Sequence, residues 1–530
     1  MNALKNFWNN FKTRPDIWFF YGFLLTFTLF VRKVLFFYPI NGQFNEYSGI
    51  YLYLSDIFLI LTVVFWGTFI LRNKSEYLSS IKQCFGLNNP LLKILLIFNL
   101  WIFISILWSD NQVIALFRAI KILEFNLLFL YIIVRIVPCG KIYKKCHPEF
   151  DSGSKVFLDS GLMAGMTEAE NVSHETFLQR VFQIIIFIGL FQAIIGIWQY
   201  LIQHSVGLFW LKESLISPNI PGVAKVIFGG EKFIRAYGLF PHPNILGGFL
   251  LFSIIITWVY WKLIKIPLNP PFTKEENGIV PCGTIFKLSP FLKGRNKEGF
   301  LKIALFIQFI ALMITFSKSA ILGLIMAILY IFLKIYRNRI VPCGTIHKNL
   351  LRNMFHVEHI KRLLLLSLIS LLLIIAIKPN INSLILKSLN ERIIYLNLSD
   401  KIISDNPIFG IGNGQFVLEM QKYSVIILES WQFQPVHNVF LLIWSELGLI
   451  GLILFLWFLW RIFKFSPFSK GRLERDFYLT IILKSVVIGF IFIMLFDHYF
   501  WDIQQGQILF WLTAELLVGV NSIGVTTVEN

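Results

Sequence analysis

The sequence predicts an all-α, polytopic integral membrane protein with about twelve transmembrane helices. Three observations predict it. The 530 residues are 56% hydrophobic and only 15% charged, with a mean hydropathy of +0.68. That is too little charge to cover a soluble protein of this size. Apolar runs of about 18 residues or more recur along the chain, each long enough to cross about 30 Å of hydrocarbon. Basic residues collect on alternate loops, as they do when those loops lie in the cytoplasm. Helices are the expected element because lipid offers no partner to a free backbone N–H or C=O.

The spans fall at roughly 17–38, 50–71, 91–108, 113–135, 180–202, 243–262, 300–316, 319–336, 363–378, 438–460, 478–496 and 504–520. Lys5, Lys12 and Arg14 precede the first, and no cleavable signal pattern is present, so it reads as an uncleaved anchor starting in the cytoplasm. The inward loops are then 72–90, 136–179, 263–299, 337–362 and 461–477, which hold most of the cations, Arg72, Lys141, Lys287, Arg337 and Arg461 among them. A multi-pass protein of a bacterial inner membrane with both termini cytoplasmic is expected, residues 521–530 forming a cytoplasmic tail. This placement accounts for the net charge of +18 through topology and membrane lipids, and excludes nucleic acid as the partner.

Cys84, Cys139, Cys146, Cys282 and Cys343 all fall in inward loops, where they stay reduced. There is no C-x-x-C, and the His356/His359 pair lacks a third ligand, so neither a metal site nor a cofactor is expected. Three inward loops open with one string, at Ile136–Gly140, Ile279–Gly283 and Ile340–Gly344. A second string recurs at Ser289–Arg295 and Ser466–Arg472. Their irregular period argues against a solenoid. They read as insertions into tolerant loops, at about 137–175, 265–299 and 337–361, resembling translated genomic repeats. The organisation is thus N-terminal helices over 1–90 and a main transmembrane domain over 91–520, with a large extracytoplasmic loop at 379–437 between spans nine and ten. That loop is too long for a turn and too apolar for a linker, so short helices lying against the membrane are expected.

Ionisable residues in such a protein are costly and therefore informative. They gather on the outward side in four clusters. These are Arg235–Asn244, Thr315–Lys318, Glu391-Arg392 with Asn406–Gly414, and Pro435–Asn438 leading into Glu446 and Gly448. Span four adds Arg118, Lys121 and Glu124 in its outward half. Singly each has an ordinary reading. Lys318 can snorkel, His242 and His437 can cap, Gly410, Gly412 and Gly414 can form a plain turn, and Lys121 can pair with Glu124 three residues on. Together, several fixed cations and a histidine suit an anionic substrate at the outer surface. Arginine and lysine neutralise a pyrophosphate, and an imidazole accepts a hydroxyl proton.

On these residues the chain resembles the O-antigen ligase and O-antigen polymerase superfamily of bacterial envelopes. The pieces are R-x-x-G-x-F-x-H-P-N at 235–244, T-x-S-basic at 315–318, Arg392, P-I-F-G-I-G-x-G-x-F at 407–416, and H-N-x-x-L-x-x-x-x-E-x-G-x-x-G at 437–451. They stand in family order over roughly 90–515, apart from the repeat insertions. The resemblance implies a GT-C-like, metal-independent membrane glycosyltransferase. Its donor is a glycan on undecaprenyl pyrophosphate, and its acceptor is lipid A-core for a ligase or another lipid-linked glycan for a polymerase. A related branch glycosylates protein hydroxyls. The resemblance places Arg392 and Lys318 on the pyrophosphate, with help from Arg235, and His437 on the acceptor hydroxyl. Asn438, Gly410 and Gly412 shape the substrate loop, and Arg118 lies near the same surface. Lys318 stands where the family commonly has arginine, which keeps the charge and loses the bidentate fork. Rival readings are a lipid-linked glycan flippase, which tends to show paired internal repeats and broken helices at midplane, and a non-enzymatic scaffold indifferent to loss of the outer cations.

Overall fold

Where the expected spans are described, each coincides with a helix over all or part of its length. The computed structural model describes residues 8–9, 11–72, 90–136, 174–264, 297–338, 382–464 and 474–522. Expected span nine, the five cysteines, the repeated strings and His356/His359 lie outside the described residues. The long helices are α1 (Pro15–Thr26), α2 (Leu54–Arg72), α3 (Pro90–Ile104), α4 (Gln112–Ile136), α5 (His174–Ile202), α6 (Pro243–Ile264), α7 (Lys297–Ile314) and α8 (Lys318–Asn338). After the outer loop's α9 (Asn382–Asp405) and α10 (Phe416–Tyr423) come α11 (Val439–Lys464), α12 (Glu474–Met494), the single turn α13 (Tyr499–Asp502) and α14 (Gln504–Ser522). Among the described residues, five helices are long and apolar enough to cross a membrane: Leu54–Arg72, Pro90–Trp108, Phe177–Ile202, Pro243–Lys262 and Val439–Lys464. A mostly helical membrane protein follows.

Two details of the sequence reading are corrected. Span one does not run to residue 38, because α1 stops at Thr26 and the chain continues as β1 (Arg32–Phe37), paired antiparallel with β2 (Gly49–Tyr53). The reason lies in Arg32. A continuing helix would carry its guanidinium into lipid, whereas the hairpin sets it 4.0 and 4.1 Å from the Phe30 and Tyr51 rings and 2.8 Å from Glu46. The fold is mostly helical, consistent with the all-α expectation, with β3 (Lys225–Phe228) and β4 (Glu231–Ile234) as a second two-stranded hairpin. The outer loop holds one helix longer than the short ones expected, the 24-residue α9.

Packing among the spans separates interior from rim. Helices α6 and α14 are enclosed along nearly their whole described length, with α12 and α4 beside α14. On α5, by contrast, Phe187, Phe191, Ile194, Trp198 and Leu201 are exposed at alternating steps of four and three, one unpartnered stripe. Such a stripe suits lipid, which gains nothing from hiding apolar surface. The interior also contains charge. The Lys121 Nζ lies 2.7 Å from Asp56 and 2.5 Å from Glu124, and Gln504 donates to Asp56. The Lys121–Glu124 pairing is that of neighbours one turn apart. Asp56, between Lys121 and Gln504, joins α2 to α4 and α14.

Candidate active site

Segments expected to face outward, and far apart in sequence, meet at one end of the bundle. The first is fixed by Arg235. Its Nε donates to the Thr315 carbonyl at 2.6 Å and its Nη2 to Asn244 Oδ1 at 2.6 Å. Asn244 Nδ2 then donates to Asp497 at 2.7 Å. One chain of bonds thus ties the 235–244 segment, the α7–α8 hairpin and the turn before α13. Burial pushes the Arg235 guanidinium down to about 10, against the pull of Tyr237 and Asp497, so it stays charged at neutral pH.

A histidine pair stands next to this chain. The His437 and His498 rings lie 5.0 Å apart, inclined at 66°. His437 also stacks on Tyr395 of α9 at 5.8 Å and 10°. Tyr395 sits one turn after Arg392, so both share a helix face, and the Arg392 charge reaches His437. The Nδ1 of His437 lies 3.1 Å from the Pro435 carbonyl. A carbonyl only accepts, so the ring carries its proton on Nδ1 and its lone pair on Nε2 whenever it is neutral. Desolvation above all, then His498 and Arg392, push His437 down to about 4, against Asp497 and the Pro435 carbonyl. It is therefore neutral at pH 7.

His498 is buried and its Nδ1 lies 2.9 Å from the Asp502 carboxylate. Burial opposes its cation, but Asp502, Asp497 and Glu46 outweigh burial and raise it above the ordinary histidine value. Burial likewise opposes ionised Asp497, and His498, His437 and His242 overcome it, holding that carboxyl below its ordinary value. His242 is pushed down to about 3, chiefly by burial and then by Arg235, and its Nδ1 accepts the Asn244 amide at 3.2 Å.

The glycine loop has a structural explanation. Helix α11 breaks at Gly448, whose φ is 67° and ψ −174°. The carbonyls of Ser445 and Glu446, released from their helical partners, accept from Ile411 N at 3.0 Å and Gly412 N at 2.8 Å. In return Leu449 N donates to Pro407 O at 2.9 Å and Ile450 N to Ile408 O at 3.5 Å. The loop repairs the broken span, as buried backbone requires. Such an approach excludes side chains: a Cβ at Gly448 would come within 2.0 Å of the Ile408 carbonyl oxygen, and one at Gly410 within 2.5 Å of the Glu446 backbone. The amides of Gly410 and Gly412 are both engaged within the protein. Asn438 caps α11, accepting from Leu441 N at 3.0 Å while donating to Leu495 O at 3.2 Å. This fixes His437, its neighbour, against the turn that carries His498.

Of the predicted residues, then, His437, Arg392, Arg235 and Asn438 belong to one connected region. Lys318 is exposed at the start of α8, three residues from the Thr315 that receives Arg235, and makes no ion pair among the described residues. Arg118 donates to the carbonyls of Asp502 at 2.6 Å and Tyr47 at 3.4 Å. It lines a cavity of about 20 Å³, room for one water, together with Glu446, Asn413 and Trp501. Arg392, Lys318 and His437 do not line it. Sequence reasoning missed Tyr395, Asp497, His498 and Asp502. The signal for the last three was present: three ionisable residues in a short outward turn between spans. Among the described residues, no three His, Cys, Asp or Glu side chains gather so as to hold a metal ion.

Comparison with known proteins returns a family. Residues 303–456 match the family described as O-antigen ligase. The matched segment contains Lys318, Arg392, the 406–416 loop, His437 and the broken helix, and leaves out Arg235 and the 497–502 turn. No curated protein and no solved structure matches the chain. This segment, which carries the loop and the broken helix of the candidate site, is similar to the O-antigen ligase family.

Proposed function

We propose that the protein is a membrane glycosyltransferase of cell-surface polysaccharide biosynthesis. It takes a glycan from undecaprenyl pyrophosphate at the outer face of the cytoplasmic membrane and joins it to lipid A-core or to another lipid-linked glycan, without a metal. The observation that carries this reading is the pairing of opposite chemistries in one place. His437 is neutral, and Arg392 lies close enough to influence it; among the described residues, neither the His437 Nε2 nor the Arg392 guanidinium makes a hydrogen bond or ion pair. An unpartnered guanidinium suits a pyrophosphate, and a neutral imidazole suits a hydroxyl.

In the proposed step the acceptor oxygen attacks the anomeric carbon. Its O–H proton goes to His437 Nε2, the new C–O bond forms with inversion, and the bond to pyrophosphate breaks. The electron pair leaves on the lipid pyrophosphate, whose added charge Arg392 and Lys318 neutralise. Pyrophosphate leaves readily, so the protein contributes mainly position and charge. Arg235, the glycine loop and Asn438 hold the surrounding segments, and Arg118 anchors the turn beneath.

The test is the glycan profile of a deletion strain. Loss of all attached glycan identifies a ligase, and a single capped repeat unit identifies a polymerase. Unchanged surface glycan and unchanged lipid-linked intermediates would remove the proposal.

A further inference from the structure

The two histidines differ in one respect that gives them separate tasks. His437 is half-buried and reachable from outside, whereas His498 is 7% exposed and enclosed by the protein. We propose that His498, clasped by Asp502 and set edge-on against His437, holds the proton of the histidine pair on the buried side and so keeps His437 free to accept the proton of the incoming hydroxyl. This rests on the glycosyl-transfer reading and adds to it a positioning residue outside the matched family segment.

The surroundings of each ring set the direction. His498 faces acids: Asp502 at 2.9 Å, Asp497 through its own amide at 3.0 Å, and Glu46 further off. The ring of Tyr47 packs on it at 5.8 Å, edge to face. His437 faces cations as well, Arg392 on α9 and His498 itself, and draws only partial relief from Asp497. His242, near the same carboxylate, is itself disfavoured as a cation by burial, Arg235, His498 and His437, and stays neutral. Arg118 grips the Asp502 carbonyl at 2.6 Å and fixes the turn that presents the carboxylate. A first proton therefore settles on His498, and the positive ring 5.0 Å away resists a second on His437. At such a separation like charges oppose each other by about 0.6 pH units even at the dielectric constant of water.

The experiment uses full-length protein in lipid nanodiscs with isotopically labelled histidine. The His437 resonance, assigned by its loss in His437→Gln, is titrated in wild type, in His498→Gln and in Asp502→Asn. Removing His498 is expected to raise the His437 midpoint by about half a pH unit or more. Asp502→Asn, which retains the side chain's shape, is expected to lower the His498 midpoint and raise that of His437; it serves if His498→Gln does not fold. An unmoved His437 midpoint in a folded variant overturns the proposal. The titration needs no turnover, so it separates the two ideas: if wild type transfers no glycan while the midpoints move as expected, the functional reading fails and the histidine pairing stands. If transfer proceeds and the midpoints stay, the pairing alone fails.

Discussion

Arg235 and Arg392 stand at the same end of the bundle and have different occupations. Arg235 sits in a web of neighbours, with the Thr315 carbonyl on one nitrogen and Asn244, backed by Asp497, on another. Arg392 projects from α9 one turn before Tyr395 and engages no acceptor among the described residues. A charge held by neighbours on two of its nitrogens ties segments together. A charge whose donors are unsatisfied is available to a ligand. Sequence spacing treats the two alike, and their partners distinguish them.

The largest effect expected from that difference is on turnover. Arg392→Ala should lower glycan transfer by about 10²–10³, the usual loss when one charge-stabilising donor is removed, while the melting temperature in detergent stays unchanged. A large drop in stability would make Arg392 scaffold after all. Arg235→Ala should reverse the pattern. It strands the Thr315 carbonyl and Asn244, and bonds from a charged donor are worth about 1.5–3 kcal/mol each, so a clear fall in melting temperature is expected. A variant as stable as wild type would contradict its structural assignment. Gly448→Ala should destabilise by at least about 1–2 kcal/mol, since alanine is strained at positive φ and its Cβ meets the Ile408 carbonyl. The smallest effect is at Lys318. Lys318→Arg supplies the fork and should tighten donor binding a few-fold at most, visible in KM rather than in stability. A tenfold loss there would mean that a compact ammonium is required.

Much of this was legible in the sequence because lipid makes polar residues conspicuous. The helices followed from the apolar runs, and the clusters containing Arg392, Lys318 and His437 from asking which ionisable residues an apolar chain retains; the roles given to those residues came from the resemblance alone. What stayed hidden depended on partners. Span one was overrun because hydropathy does not distinguish the aromatic, β-branched stretch before Tyr38 as strand from helix; Arg32 was the warning. The 410–414 glycines read as a turn because their pairing with the break at Gly448 joins residues more than thirty positions apart. Tyr395 could not be matched to His437 without the register of α9. Asp497, His498 and Asp502 were readable by the same loop-charge argument that found the rest, but their turn is short and was counted as a connection.

The central claim is that a neutral imidazole at residue 437 takes the acceptor proton beside an unpartnered cation. The most direct measurement is the pH dependence of kcat/KM for glycan transfer from lipid pyrophosphate in nanodiscs, which reports the free enzyme's base. His437 must be unprotonated to act, so the rate should hold as pH falls through 6 and be lost only on the approach to about 4. A wild-type acid limb at the ordinary histidine value, or a His437→Gln protein with the same profile and rate as wild type, would contradict it.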